Sequence, residues 1–158
     1  MRVELSPVAL ADKAALRAVL DPYLIEHADQ VDPARAHGDP TDDPYFDLYW
    51  VEADRAPLWI LADGARAGFV LVNSYSPSGE GTERAVSEFC VLPDFRRHRI
   101  GAAAAAATFA THPGQWELMV HRANTLGFPF WPRAIAAAGV RDWRQIEQAD
   151  RVIHRFRT

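Results

Sequence analysis

Residues 86–107 read VSEFCVLPDFRRHRIGAAAAAA, and the fold turns on how this stretch divides. Val86 to Leu92 is an apolar run of strand-favouring residues closed by Pro93. Ala102 to about Ala110 is built on the best helix former and is stopped by Pro113-Gly114. Between them lies a basic turn carrying Arg96, Arg97 and Arg99. The start of a helix leaves backbone N–H groups unpaired and holds the positive end of the helix dipole, and small residues such as Gly101 let a ligand come close. A strand, a basic turn and a small-residue helix therefore predict a site for a phosphate or pyrophosphate.

The familiar phosphate loops are absent. No Gly-x-x-x-x-Gly-Lys-Ser/Thr occurs, and Gly79-Glu80-Gly81 is followed by Arg84 where a dinucleotide fingerprint needs its third glycine.

Outward from that stretch, Val3 to Val8 alternates as a first strand. Leu10, Ala14, Leu16, Val19, Leu20, Leu24 and Ile25 recur at helical spacing, with Pro22 placed to kink or split the helix. Glu26 to Asp54 holds nine acidic residues and one basic residue, with Pro33, Pro40 and Pro44 breaking regular structure. Within it, Tyr45, Phe46, Leu48, Tyr49, Trp50 and Val51 form an aromatic cluster that reads as a short helix or strand. Leu58–Ala62 and Gly68–Val72 flank Asp63-Gly64 as a hairpin, and Ser76 to Gly81 is a loop. Trp116 to Val120 is a strand, Phe130 to Ala138 a helix ending at Gly139, and Arg144–Ile146 with Val152–Phe156 a terminal hairpin. This order predicts an α/β fold: one domain, 1–158, with a mixed central sheet flanked by helices.

The 158 residues suffice for one core and not for two ordinary domains. The formal charge of −4 hides an asymmetry. Residues 1–83 carry 6 basic and 15 acidic side chains, and residues 84–158 carry 11 and 6, so −9 faces +5. The second half favours an anion and the first a cation. An acidic protein with a pI near 5.8 is not expected to bind nucleic acid. Cys90 is the lone cysteine, so neither an intrachain disulfide nor a multi-cysteine metal site can form, which fits a reducing cytoplasm. The charged N-terminus and the lack of an eighteen-residue apolar run predict neither export nor a membrane span.

Here the sequence resembles the GNAT superfamily of acyl-CoA N-acyltransferases. In that family a strand ending Val-x-Pro leads into Gln/Arg-x-x-Gly-x-Gly/Ala; this chain has Val91-Leu92-Pro93 and then Arg96-Arg97-His98-Arg99-Ile100-Gly101. Arg99 stands where the family usually has its middle glycine, a place that suits Arg if the turn does not require positive φ. The family's Asn-x-x-Ala-x-x-Leu/Phe-Tyr is echoed by Asn124-Thr125-Leu126-Gly127-Phe128-Pro129-Phe130-Trp131. Matching residues span roughly 84–135.

The resemblance implies a mostly antiparallel sheet, acetyl-CoA as co-substrate between the fourth and fifth strands, and no metal. It implies cofactor contacts from Cys90, Val91, Arg96, Arg97, His98, Arg99, Ile100, Gly101, Ala102, Asn124 and Trp131. The Val91 N–H would polarise the thioester carbonyl and hold the oxyanion. An alkyl amine, with a pKa of about 10.4, arrives protonated, so a base is needed. Glu88 is the first candidate, with Glu117 and His121 in reserve on the facing strand. Trp131 takes the place of the tyrosine that protonates the leaving thiolate in many relatives, and indole is no acid. Water, Tyr45 or Tyr49 would then supply the proton, and the same two tyrosines are candidate acceptor contacts through cation–π interaction. A buried strand cysteine is the expected state of Cys90, against an acyl-cysteine scheme.

The expected function is thus transfer of acetyl to a primary amine of a small molecule or peptide. A non-catalytic acyl-CoA sensor and an acidic protein-interaction domain are the competing expectations, and a terminal edge strand could pair two copies as a homodimer.

Overall fold

The computed structural model describes residues 1–30 and 38–158. Seven strands form one sheet: β1 (Val3–Pro7), β2 (Ala56–Ala62), β3 (Ala65–Asn73), β4 (Arg84–Val91), β5 (Gln115–His121), β6 (Arg141–Glu147) and β7 (Arg151–Arg157), in the spatial order β1-β2-β3-β4-β5-β7-β6. Every neighbouring pair is antiparallel except β4 and β5. The mixed, mostly antiparallel α/β sheet is as expected.

Among the described residues, three helices cover the sheet: α1 (Lys13–Gln30), α2 (Ile100–Ala110) and α3 (Gly127–Ala137). Along α1, Leu16, Leu20, Leu24 and Ala28 are buried at four-residue intervals, and the three leucines of that stripe pack with Trp59, Phe69, Leu71 and Cys90. That stripe carries the helix past Pro22 without a break, so Pro22 does not split it. On the opposite face, Ala105 and Phe109 of α2 and Trp131, Ala134 and Ile135 of α3 pack against Val70, Val72, Val86, Leu118 and Phe156. Helix α2 begins at Ile100, two residues before the alanine run, and α3 begins at Gly127 rather than Phe130. The earlier start of α3 has a local cause. Asn124 Oδ1 accepts the Gly127 N–H at 2.8 Å and its carbonyl accepts Phe128 N–H at 2.8 Å, closing the first turn upstream of the apolar residues.

The aromatic cluster forms a 3-10 helix, Phe46–Trp50, whose Phe46 and Tyr49 are buried against the α1 face of the sheet. Pro40 and Pro44 lie in turns before it, while Pro33 lies outside the described residues. No described helix is long and apolar enough to cross a membrane.

Candidate functional site

The sheet opens at its middle. The parallel ladder between β4 and β5 has only three steps, Arg84↔Trp116, Ala85↔Glu117 and Val86↔Leu118, and then stops. From Ser87 to Val91, β4 continues beside β3 alone.

A bulge in β4 marks the parting. Leu71 of β3 faces Glu88 and Val72 faces Val86, leaving Ser87 as an extra residue. Val86 belongs to the core on the α3 side, whereas Cys90, four residues on, belongs to the α1 side; strict two-residue alternation would place both on one face. Ser87 is accordingly exposed and Glu88 half-exposed, although both sit in the central strand of seven.

Backbone direction beyond the bulge follows from the β3 pairing. Leu92 N–H donates to Ala67 O at 2.8 Å, so Leu92 and Cys90 turn their polar groups to β3, and the intervening Val91, opposite Gly68, turns its own to the other edge. That edge faces the opening. Phe89 turns the same way, a donor that the sequence motif does not single out. Gly68 is required for this approach: a Cβ there would stand 2.0 Å from the Cys90 carbonyl oxygen.

The basic turn follows at once. The first bond of α2 runs from Ala103 N–H to Arg99 O at 3.3 Å, so the amides of Ile100, Gly101 and Ala102 precede the helical ladder. Arg97, His98 and Arg99 are exposed around them. Arg97 and Arg99 adopt φ of +69° and +59°. The turn therefore does take a left-handed residue where the family usually has glycine, so the condition under which Arg99 would sit without strain is not met. Gly101 leaves room for a ring: its Cβ would lie 3.0 Å from Phe130 Cε2. Arg96 points away from this group and donates Nε–H to Val91 O at 2.9 Å.

The remaining expected residues fall in different places. Trp131, 7% exposed, packs edge-on to Phe89 and Phe130 at ring separations of 5.0 and 4.9 Å, which makes it a wall of the core beneath β4. Asn124 spends its side-chain oxygen on the α3 start. Cys90 is buried and its thiol is pushed up to about 11 by that burial, an effect Arg96 only partly opposes, so the acyl-cysteine scheme lacks a ready thiolate.

Glu117 is a correction. It is fully buried at the closed end of the strands, opposite Ala85, where it accepts from Arg155 Nη1 at 2.6 Å, Ser76 Oγ at 2.8 Å and Ser78 N–H at 3.0 Å. Its lone pairs are committed to holding the β3–β4 loop, and it cannot serve as a base at the opening. His121 lies at the open end of β5, past the last β4 pair, with its ring 6.4 Å from His27 of α1.

The two tyrosines also differ from expectation. The Arg55 guanidinium sits over Tyr45 at 5.5 Å and over Tyr49 at 5.3 Å, so the chain's own cation takes the ring faces expected to receive an acceptor. Tyr45 is 58% exposed, while Tyr49 is buried with its pKa raised by burial, against which Ser87 and Arg55 act. Tyr49 thereby stands beside the bulge. The signals for Ser87 and Arg55 were faint: an isolated polar residue in an apolar strand, and a basic residue just past the acidic segment.

Much of the acidic segment is engaged locally as well. Asp39 holds Thr41, Asp43 accepts Tyr45 N–H at 2.9 Å, Asp47 pairs with Lys13 at 2.5 Å and Glu52 with Arg55 at 2.7 Å. Among the described residues no group of three or more His, Cys, Asp or Glu is arranged for a metal ion.

Comparisons with known proteins agree with this architecture. Residues 23–125 match the model of the acetyltransferase (GNAT) family. The structure is similar to an acetyltransferase from Thermus thermophilus, with a TM-score of 0.66 and 16% identity, covering 99% of this chain and 96% of that one. It is similar to the PaiA N-acetyltransferase of Thermoplasma acidophilum in complex with coenzyme A, with a TM-score of 0.62 and 14% identity over 100% of both chains. A third similar structure is AAC(6')-Ib in complex with ribostamycin and coenzyme A, with a TM-score of 0.67 and 13% identity, covering 100% of this chain and 94% of that one. No curated protein sequence matches the chain.

Proposed function

The chain belongs to the acetyltransferase (GNAT) family, and from that premise we propose that it transfers acetyl from acetyl-CoA to a primary amine of a small molecule or peptide by direct attack. The observation that carries this reading is the β4–β5 opening, with the Val91 N–H turned into it and the start of α2 directly beyond. The similarity to structures holding coenzyme A, and one holding an aminoglycoside, supports a thioester donor and an amine acceptor.

In this reading the amides of Ile100, Gly101 and Ala102 take the pyrophosphate, with Arg97 and Arg99 adding charge. His98 shares the rim of that turn. Val91 N–H polarises the thioester carbonyl and then stabilises the oxyanion formed on attack. Glu88, on the bulge, takes the amine proton, directly or through water. When the tetrahedral adduct collapses, the C–S bond breaks, the nitrogen gives its remaining extra proton to water, and the thiolate takes a proton from water or from Tyr49, which lies beside Ser87 of β4. Trp131 contributes packing. The lone, buried Cys90 supports a reducing, cytoplasmic setting.

The test is thiol release from acetyl-CoA across a panel of alkyl, amino-acid, peptide and aminoglycoside amines. Amine-dependent release is expected. A thermal upshift with acetyl-CoA but no release with any amine would mark a sensor, and no upshift would return the chain to an interaction role.

A further inference from the structure

The family motif assigns Arg96 to the anion-binding turn, yet the Arg96 side chain bends back from that turn. Its Nε–H reaches Val91 O at 2.9 Å, and the same peptide unit is held from the other side by Leu92 N–H on Ala67 O at 2.8 Å. One peptide plane is thus fixed by two bonds in opposite directions. We propose that Arg96 is a positioning residue for acetyl transfer: it acts through Val91, masking the carbonyl that would otherwise face the reacting thioester and, by fixing the peptide that follows Val91, holding in place the residue whose N–H, on the preceding peptide, is turned to the same opening. This rests on the function proposed above and deepens it.

The chemistry follows from what an oxyanion tolerates. The gap-facing edge of β4 carries both donors and acceptors, since Val91 turns its N–H and its C=O the same way. An unpaired carbonyl beside a developing negative charge repels it, while a carbonyl bound to a donor is partly neutralised. With Val91 O occupied by Arg96, the acceptor beside the Val91 N–H is satisfied, and the Phe89 carbonyl, two residues upstream, is the other acceptor turned to that edge. Arg96 also joins the two halves of the site, because it starts the turn that presents the α2 amides while gripping the strand that presents Val91. The exposed Arg97 and Arg99 remain for the phosphates.

Two roles for Arg96 can be separated by substitution. In glutamine, Nε2 stands the same number of bonds from the backbone as arginine Nε, so Arg96→Gln keeps the donor and removes the charge; Arg96→Ala removes both. Two donors then divide the possibilities: acetyl-CoA, which has the pyrophosphate, and acetyl-pantetheine, which lacks it. Positioning predicts that Arg96→Ala lowers kcat with both donors by about 10- to 100-fold, less than loss of a direct oxyanion donor. It predicts that Arg96→Gln stays within about threefold of wild type, since the bond to Val91 O remains. A readout that needs no acceptor is the carbonyl stretch of bound 13C-acetyl-CoA, expected to shift to lower frequency in wild type and Arg96→Gln and to relax in Arg96→Ala. Loss confined to KM for acetyl-CoA, with acetyl-pantetheine unaffected, would make Arg96 a phosphate ligand and overturn the proposal. So would equal losses in the Gln and Ala variants, no loss in either, or a wild-type complex with an unshifted carbonyl. Failure of wild type to bind acetyl-CoA would instead remove the function on which the proposal rests.

Discussion

Arg99 carries a φ of +59° immediately before α2, where a side chain other than glycine costs roughly 1–2 kcal/mol. Strain of this size is kept at sites where the side chain does something the backbone alone does not. Arg99→Gly relieves it, offset by the roughly 0.5–1 kcal/mol that glycine loses in chain entropy. The melting temperature should therefore hold or rise, while affinity for coenzyme A falls about tenfold, the size of one charge-assisted contact; titration calorimetry beside a thermal melt reads both. Glu88 carries the second residue-scale expectation. Glu88→Gln should lower turnover by about 10²-fold or more while the thermal shift with acetyl-CoA is kept. The acid limb of the pH–rate profile should vanish with it, and a limb that persists would move the base elsewhere.

At the scale of elements, the parting of β4 from β5 is the structural event that makes a site. It needs the ladder to hold at one end and fail at the other. The holding end is tied by Glu117, which clamps Arg155 of β7 and the Ser76–Ser78 loop to β5. Arg155 continues to the Gly81 carbonyl at 2.5 Å, and Arg144 grips Glu80 with both contacts under 3 Å. Glu117→Ala leaves a largely buried guanidinium without its counter-charge and should cost about 3–5 kcal/mol, read as a lower urea midpoint at constant m. The strands, helices and their order were legible because periodicity and Gly/Pro punctuation are local signals, as at Asp63-Gly64 and Pro113-Gly114. The bulge at Ser87 was not, since it is set by register against Leu71 and Val72. The role of Glu117 was hidden for the same reason: on its strand it looks like any acid in a strand that ends at His121, and only the loop folded over it removes its lone pairs. Arg96 shows the limit from the other side, because spacing located the turn and could not tell that its first arginine faces backwards.

For the molecule as a whole, the split of −9 against +5 along the chain does not become two uniformly charged faces. Asp47 ties the 39–55 segment to Lys13 of α1, and Asp43 and Glu52 are used within the segment on Tyr45 N–H and Arg55, while Arg97 and Arg99 are left exposed at the turn. Global stability carries a pH signature from the core. His154 of β7 is buried, accepts Trp143 Nε1–H on Nδ1 at 3.2 Å, and burial pushes its pKa down to about 4. The unfolded chain takes the proton first, so the favourable contribution is complete above about pH 6.5 and is lost as pH falls toward 4. At pH 5 the loss is about 2 kcal/mol. His154→Gln keeps an acceptor for Trp143 and should flatten the dependence of the urea midpoint on pH between 6.5 and 4.

The central claim is that the opened strand end and the start of α2 together receive coenzyme A. Amide hydrogen exchange with and without acetyl-CoA tests it at the groups concerned. Protection concentrated in peptides covering 89–92 and 97–103, with 58–72 unchanged, is the predicted result. Saturating acetyl-CoA that protects neither stretch, or protects only amides elsewhere in the chain, would contradict it.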